Sequence, residues 1–270
     1  MTQPTFLGID VGTSSIKVVA VSPSGQLLAV TSTPMTVKVE HPGWSEQHPE
    51  DWWSGTCSAI KQALAEIDSP EVLGIGLSGQ MHSLVALDES KQVIRPAILW
   101  NDVRTSAEAE FVRDKVGNDS LRRLTGNPAL EGFTVTKLLW MRNNQPELFE
   151  RISHVMLAKD YVRYRLTGEL GTEPSDASGT LLFDITTSSW SSEMCGHLDI
   201  DRDLLPPIFE STEVAGRVTK QTASETGLAA GIPVVAGGAD NACAAVGAGV
   251  GSPGEALITI GTSGAVVSPI

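Results

Sequence analysis

FLGIDVGTSSIKVVAV, which runs from Phe6 to Val21, is the stretch that decides the fold of this chain. Apolar β-forming residues flank a cluster of turn residues, a pattern that predicts a strand, a tight loop and a second strand. The loop combines one glycine with three hydroxyl residues: Gly12, Thr13, Ser14 and Ser15. Backbone N–H groups and hydroxyls converge in such a loop, and the glycine has no Cβ to prevent a close approach. We therefore interpret it as a cradle for an anion.

Asp10, at the end of the first predicted strand, adds a carboxylate beside this loop. It would repel a phosphate in direct contact but could hold a hydrated Mg²⁺ that bridges to phosphate oxygens, so we expect a metal at Asp10 through water. Lys17 is interpreted as a solvated strand residue rather than a phosphate ligand. An ordinary hairpin stays open as the alternative, because the loop lacks the G-x-x-x-x-G-K-[ST] spacing and precedes a strand instead of a helix.

A second copy of this design lies in ALITIGTSGAVVS, from Ala256 to Ser268. Its turn repeats the glycine and the hydroxyls as Gly261, Thr262 and Ser263. The repetition predicts an internal duplication, in which two domains offer one loop each to opposite sides of one polyphosphate. We place a first domain at 1–251 and the opening hairpin of a second domain at 252–270. We therefore expect the chain to be a fragment of a longer protein.

The composition narrows the class of protein. With 41% hydrophobic residues among 270, the chain can build a full core. A formal net charge of −13 argues against a nucleic acid or an anionic membrane as partner, because both are bound by clustered Lys and Arg. No signal sequence and no apolar run of roughly 20 residues is present, so we expect a cytoplasmic protein. Three irregularly spaced cysteines, Cys57, Cys195 and Cys243, fit reduced thiols better than a disulfide or a zinc site.

Strands and helices alternate after an opening antiparallel meander, whose third strand is predicted over 26–31. Helices are predicted over 49–67, from Thr105 or Ser106 to about 115, and over 135–143, 146–152, 158–166 and 219–225. We expect loops with one short strand over 172–190. The order of elements predicts an α/β protein with a mixed β-sheet that starts antiparallel and is flanked by helices. Trp44, Trp52 and Trp53 are predicted to pack rather than to bind a ligand.

IPVVAGGADNACAAVGAG, from Ile232 to Gly249, predicts an apolar strand, a Gly-Gly loop and a helix of very small residues that starts at Asp240. Gly237 and Gly238 allow a sharp turn and a close approach by a ligand. Asp240 has an ordinary explanation as the N-cap of that helix. The small side chains of the helix also suit the wall of a cleft.

Eight motifs in order resemble the FGGY family of carbohydrate kinases, which have the ribonuclease H-like, actin-like ATPase fold: IDVGTSSIKVV, WSEQHPEDWW, GLSGQMH, RPAILWNDVR, LAKDYVRYRLTGE, SDASGT, VVAGGADNA and TIGTSG. The sugar-site pattern is most similar to that of the xylulokinases in this family. The resemblance implies phosphorylation of D-xylulose by ATP with Mg²⁺, and it leaves a homodimer possible. In this family the second domain holds much of the nucleotide, so the fragment alone is expected to be inactive.

The resemblance also implies roles for individual residues. Asp240 is the expected catalytic base, and Asp10 is expected near the phosphates and the metal. The two glycine–hydroxyl loops are expected to bind the nucleotide. The expected sugar contacts are Gln80, Met81, His82, Trp100, Asn101, Asp102, Arg104 and Asn241.

Phosphoryl transfer needs a base that is well placed more than one that is strong, which a carboxylate satisfies. Amide, imidazole and guanidinium groups can donate to or accept from adjacent hydroxyls of a polyol. Arg104 has an alternative role as a structural ion-pair partner of Asp102.

Three other functions stay open at this stage. The first is a kinase for another sugar or polyol, such as ribulose, gluconate or glycerol. The second is a non-catalytic sugar-binding protein of the same fold. The third is an actin-like or chaperone-type ATPase, which would share the phosphate hairpins but have no use for the sugar-site motifs.

Overall fold

The computed structural model describes residues 2–260 and 264–269, so Gly261, Thr262 and Ser263 lie outside the described residues. Its strands are β1 (Gln3–Val11), β2 (Ser15–Val21), β3 (Leu27–Pro34), β4 (Glu46–Gln47), β5 (Pro70–Gly79), β6 (Val85–Leu87), β7 (Ala97–Ile98), β8 (His154–Met156), β9 (Phe183–Asp184), β10 (Ser189–Trp190), β11 (Val214–Arg217), β12 (Pro233–Val235), β13 (Gly238–Ala239), β14 (Leu257–Ile260) and β15 (Gly264–Val267).

Ten helices accompany these strands in the described part of the chain. They are α1 (Pro49–Ala65), α2 (Ser106–Val116), α3 (Asn118–Thr125), α4 (Thr134–Asn144), α5 (Pro146–Phe149), α6 (Ala158–Thr167), α7 (Pro174–Ala177), α8 (Ser192–Leu198), α9 (Lys220–Thr226) and α10 (Asp240–Gly247).

A mixed sheet in the order β11-β12-β5-β1-β2-β3 forms the centre of the fold, and β13 also pairs with β5. β1, β2 and β3 are antiparallel neighbours, whereas β5 is parallel to β1 and to β12. The mixed sheet, its antiparallel start and its flanking helices confirm the predicted fold class.

The two faces of this sheet differ in what they contact. Residues of one face are buried in strict alternation, among them Leu7, Ile9 and Val11, and they pack in one core with residues of α1 and α6. This is the period of two that a half-buried strand requires. The other face of β1 carries Gly8 and Asp10, which line an open groove. The sheet therefore presents the Asp10 side chain to solvent space and not to the core.

A second apolar core lies between the helical segments in the middle of the chain. Leu121, Leu138 and Leu198 contribute to it from α3, α4 and α8. Helix α3 was not predicted. Gly117, with a backbone φ of 81°, is the single residue between α2 and α3, so it ends one helix and precedes the next. Thr105 occupies the N-cap position of α2 as expected, yet its hydroxyl donates to Glu131 O instead of capping the helix.

Other predicted elements agree with the structure to within a few residues. Helix α1 ends at Ala65 rather than at residue 67, and β3 is longer than predicted. The segment 172–190 contains the short helix α7 and a hairpin of β9 and β10. None of the helices in the described ranges is both long and apolar enough to cross a membrane.

Candidate active site

The end of β5 holds Asp10 in place. Ser78 Oγ donates to Asp10 Oδ1 over 2.9 Å, because these residues are paired in the parallel register of β1 and β5. The next residue, Gly79, has no space for a side chain, since an added Cβ would lie 3.0 Å from Val11 Cβ. Close packing at this strand end thus fixes the carboxylate that was predicted to act near the phosphates.

The loop after Asp10 has the predicted tight form, and Gly12 is required there. A Cβ at Gly12 would lie 2.8 Å from Ser15 O and 3.7 Å from Asp10 Oδ2, so the glycine keeps space open beside the carboxylate. Thr13 Oγ1 donates to Gln80 Oε1 and accepts from Trp100 Nε1. Within residues 2–260 and 264–269, the hydroxyls of Ser14 and Ser15 have no hydrogen-bond partner. Two of the three loop hydroxyls are therefore available to an anion.

A groove of about 580 Å³ extends from Asp10 along helix α10. The residues at its two sides are small or apolar and include Gly8, Gly76, Gly238, Ala242 and Val246. The predicted use of small α10 residues as a cleft wall is confirmed for Ala242 and Gly247, whereas Ala245 is buried. Lys17, interpreted from the sequence as merely solvated, lines the same groove opposite Asp10 in the β1–β2 register.

Asp240 is the first residue of α10, and Ala239 occupies the N-cap position. Asp240 Oδ1 accepts from the N–H of the next residue, Asn241, over 2.6 Å. Burial raises the pKa of Asp240, and the carboxylate of Asp10 adds to this rise while the Asn241 N–H opposes it. The Asp240 carboxylate is thus not used as an N-cap, and it lies near enough to Asp10 for the two charges to interact.

The predicted sugar residues Met81 and Asn241 meet at the start of α10. Asn241 Nδ2 lies 4.0 Å from Met81 Sδ, which brings the Gln80–His82 loop against the helix that carries Asp240. Gln80 itself is buried, and its Oε1 accepts from Thr13 Oγ1 and Ser83 Oγ. The side chain of Gln80 therefore joins the two loops inside the protein, while Met81 and Asn241 border the site.

His82 adopts a left-handed backbone with a φ of 66°, which is rare for a residue with a side chain. Its Nδ1 lies 2.7 Å from Gly179 O and its ring contacts that of Phe133. Burial lowers the pKa of His82 to about 4, although the Gly179 carbonyl opposes this effect. The imidazole is thus neutral near pH 7, with Nδ1–H donating to Gly179 O. Its Nε2 is left as an acceptor for a hydroxyl group.

Trp100 and Asn101 lie at the surface of the site. The Trp100 side chain is 40% exposed and is oriented by the hydrogen bond from Nε1 to Thr13 Oγ1, over 2.9 Å. Gly132 approaches from the other side, where an added Cβ would lie 2.9 Å from Trp100 O. The exposed indole ring thus offers a flat apolar surface at a residue that is an expected sugar contact, and the exposed Asn101 follows it.

Asp102 and Arg104, predicted as sugar contacts, are placed differently by the structure. Asp102 is fully buried and accepts from Arg104 Nε, Arg104 Nη2 and the Ser45 N–H. Arg104 also lies 2.7 Å from Glu46 Oε1 and stacks 3.7 Å from the Trp44 ring. The alternative of a structural ion pair describes both residues, because a buried carboxylate is stable only with such partners. Neither side chain is open to a sugar.

Lys137 is a residue of this region that the sequence analysis missed. It is fully buried in α4 and donates to His82 O over 2.9 Å and to Gly132 O. Burial lowers the pKa of Lys137 to about 7, an effect that Arg104 increases and Asp102 opposes. Lys137 thus joins the His82 loop to the Gly132 loop beneath Trp100. A lysine directly before the apolar run 138–141 of the helix was the signal that could have identified it.

Mg²⁺, which the resemblance implies, is compatible with the residues at Asp10. Asp10 Oδ2 makes no hydrogen bond in the described ranges, and the missing Cβ of Gly12 leaves space beside it. No group of three or more His, Cys, Asp or Glu side chains in those ranges could hold a metal ion. A hydrated Mg²⁺ held by one carboxylate and by phosphate oxygens needs no such group.

Comparison with known proteins agrees with this geometry. Residues 5–247 match the sequence profile described as the FGGY family of carbohydrate kinases, N-terminal domain. Xylulose kinase of Bacillus subtilis (strain 168) is 45% identical over 264 residues, which are 97% of this chain and 53% of that protein. Xylulose kinase of Escherichia coli (strain K12) is 41% identical over 259 residues, 96% of this chain and 53% of that protein.

A solved structure of a xylulose kinase is also similar to this chain. The crystal structure of xylulose kinase from Rhodospirillum rubrum superimposes with a TM-score of 0.95 at 29% identity, over 98% of this chain and 55% of that one. The chain spans about half the length of the curated relatives it matches. With the matched residues containing both Asp10 and Asp240, the chain belongs to the FGGY family of carbohydrate kinases.

Proposed function

We propose that the protein containing this chain transfers the γ-phosphoryl group of ATP to the terminal hydroxyl of D-xylulose, giving D-xylulose 5-phosphate. The observation that carries the proposal is the position of Asp240. It stands at the start of α10, directly before Asn241, whose side chain contacts Met81, and it is near enough to Asp10 for the two carboxylates to interact. The names of the relatives, xylulose kinases, support this sugar over others.

Asp240 would accept the proton of the attacking hydroxyl. Its carboxylate makes a single hydrogen bond within the described residues, so a lone pair is free for a hydroxyl of the sugar. The partly buried position raises the pKa of Asp240, which makes it a better proton acceptor than a solvated carboxylate. Neutral His82 Nε2 would accept from a second sugar hydroxyl, and Met81, Trp100 and Asn241 would contact the carbon chain and the remaining hydroxyls.

The polyphosphate would lie at the loop of residues 12–15 and along the groove beside Asp10. Backbone N–H groups and the Ser14 and Ser15 hydroxyls are suited to phosphate oxygens. When bound, Mg²⁺ neutralises charge on the phosphates, and Asp10 would hold it through water. The second glycine–hydroxyl loop, of Gly261, Thr262 and Ser263, would approach from a second domain that begins near residue 252. Such chemistry fits a cytoplasmic protein.

A coupled ADP assay on the product of the complete open reading frame tests the substrate. We expect D-xylulose to give a kcat/KM at least tenfold above that of D-ribulose, gluconate or glycerol. A higher value for any of these three would show that the protein is a kinase for another substrate. ATP hydrolysis that no sugar stimulates would favour a chaperone-type ATPase instead.

Replacement of Asp240 by Asn tests the base. The amide keeps the size of the side chain but cannot accept the proton, so we expect kcat to fall by about 10²–10⁴-fold. The affinity for D-xylulose, measured by calorimetry on the 270-residue chain, should stay within about threefold. Asp114→Asn makes the same change at an exposed position of α2 and serves as the control. Normal turnover by Asp240→Asn would exclude this residue as the base.

A further inference from the structure

The short segment before Asp240 is held by contacts that the sequence motifs do not show. Gly237 N–H donates to Ser211 O, and Gly238 and Ala239 pair in parallel with Ser78 and Gly79 of β5. The N–H of Ala239 donates to a side chain, Ser175 Oγ, over 2.9 Å. Ala239 is only 1% exposed, so water cannot replace this acceptor without a local rearrangement.

Ser175 connects this N–H to a buried carboxylate. Its hydroxyl has one proton, which it donates to Glu173, 2.8 Å from Oε2 and 2.9 Å from Oε1. The lone pairs of Ser175 Oγ are then directed at Ala239 N–H. The hydroxyl is therefore fixed in one orientation, because reversing it would point its proton at another donor.

Glu173 is itself rigidly held. It is fully buried, and it accepts from Ser175 N–H, Asp176 N–H and Ser211 Oγ. Lys159 Nζ lies 3.7 Å from Glu173 Oε1 and 2.7 Å from Asp160 Oδ1. Burial lowers the pKa of Lys159, but the carboxylates of Asp160, Asp176 and Glu173 more than offset this and raise that pKa above its ordinary value. The cluster thus keeps its positive centre at any physiological pH.

The same lysine also reaches the segment that Ser175 contacts. Lys159 Nζ lies 3.4 Å from Ala236 O, four residues before Asp240. Lys159 and Ser175 therefore hold the two ends of the stretch from Ala236 to Ala239. Both contacts come from one buried, hydrogen-bonded cluster, and Asp240 follows directly after it.

We propose that Ser175, oriented by Glu173, is a positioning residue that sets the place of the Asp240 carboxylate for proton transfer from the sugar hydroxyl. This rests on the proposed function, in which Asp240 is the base. Ser175 does not contact the reacting atoms in this scheme. It acts because a base displaced by about 1 Å can lose on the order of a hundredfold in rate.

The test compares three replacements at position 175 in the product of the complete open reading frame. Ser175→Ala and Ser175→Val remove the acceptor, and Val has the same shape as Thr. Ser175→Thr keeps the hydroxyl and should restore activity. We expect Ala and Val to lower kcat about tenfold or more while KM and the calorimetric Kd for D-xylulose stay within about twofold. Thr should keep at least half of the wild-type kcat.

Ser211→Ala is the matched control. Ser211 Oγ donates to the same Glu173 carboxylate but does not contact Ala239, so we expect kcat within about twofold of wild type. If Ser175→Ala and Ser175→Val keep the wild-type kcat, the inference is wrong although the kinase function stands. Equal losses in Ser211→Ala, or a Val variant that matches Thr, would show a general structural role and would also overturn it. A wild-type protein that phosphorylates no sugar would instead refute the proposed function, and the inference with it.

Discussion

Lys137 is a buried amine whose hydrogen bonds in the described residues go to two backbone carbonyls, of His82 and Gly132, and not to a carboxylate. The change is Lys137→Met, which preserves the length and apolar character of the side chain. The variant loses the hydrogen bonds to His82 O and Gly132 O. His82 O keeps its bond from Thr134 Oγ1, so Gly132 O is the carbonyl left to find another donor.

The magnitude follows from the pKa of Lys137. Burial lowers this pKa from 10.5 to about 7 in the folded protein. A neutral amine still has two N–H bonds, one for each carbonyl, so the buried contacts survive deprotonation. Between pH 7 and 10.5 the unfolded chain binds the extra proton, and the free energy of unfolding therefore rises with pH in this window. At 1.36 kcal/mol for each unit between the two pKa values, the rise is at most ~5 kcal/mol.

Urea unfolding of wild type and Lys137→Met at pH 6, 7, 8, 9 and 10 measures this effect. The titrations of tyrosines and cysteines are common to both proteins and cancel in the difference. We subtract the free energy of unfolding of Lys137→Met from that of the wild type. We expect this difference to be constant below pH 7 and to increase by ~2 kcal/mol or more between pH 7 and 10. Lys115→Met, at an exposed position of α2, should show no such growth. A constant difference at all five pH values would refute a buried, neutral amine.

Three further predictions test other parts of the site. Gly237→Ala should lower the free energy of unfolding, measured by chemical denaturation, by ~1–3 kcal/mol or more. The reason is that the backbone φ of Gly237 is 86° and the new Cβ would lie 2.2 Å from Leu77 O. An unchanged denaturation midpoint would contradict this backbone conformation at Gly237. His82, with its pKa lowered by burial to about 4, should stay neutral, so the NMR signals of its imidazole ring should not titrate between pH 6 and 8; a transition of these signals near pH 6.5 would show an exposed imidazole. Arg104→Met should lower the free energy of unfolding by ~3–5 kcal/mol in the same denaturation assay, because it leaves the Asp102 carboxylate buried without its partner; a loss below ~1 kcal/mol would refute the buried ion pair.

The fold class could be predicted from the sequence because the local strand and turn patterns agree with the order of the elements along the chain. Around the Gly-Thr-Ser-Ser turn, alternate apolar residues such as Ile9 and Val18 are buried on one face of β1 and β2. Asp10 and Lys17 pair on the other face, and this difference between the faces specifies the register of the meander. The position of Asp240 was likewise predictable, since small residues after a Gly-Gly turn mark the start of a closely packed helix.

The parts that could not be predicted depend on contacts between residues far apart in the chain. For Asp102 and Arg104 the sequence leaves two roles open, a sugar contact and a structural ion pair, and the approach of Glu46 and Trp44 selects the buried ion pair. Gln80 was expected to meet the sugar, but Thr13 and Ser83 occupy its Oε1. A polar residue near a site can support the site or bind its ligand, and sequence spacing does not distinguish the two.

Strand β5 determines which substitutions around the proposed site would leave the spacing of its two acidic groups unchanged. Ser78 contacts Asp10 on one side, and Ser78 and Gly79 pair with the two residues before Asp240 on the other. The distance between the two acidic groups is therefore set by the width of neighbouring strands and is insensitive to changes in the loops. Under the proposed function, changes in the loops around Trp100 and His82 would alter the sugar contacts and leave the spacing of Asp10 and Asp240 unchanged.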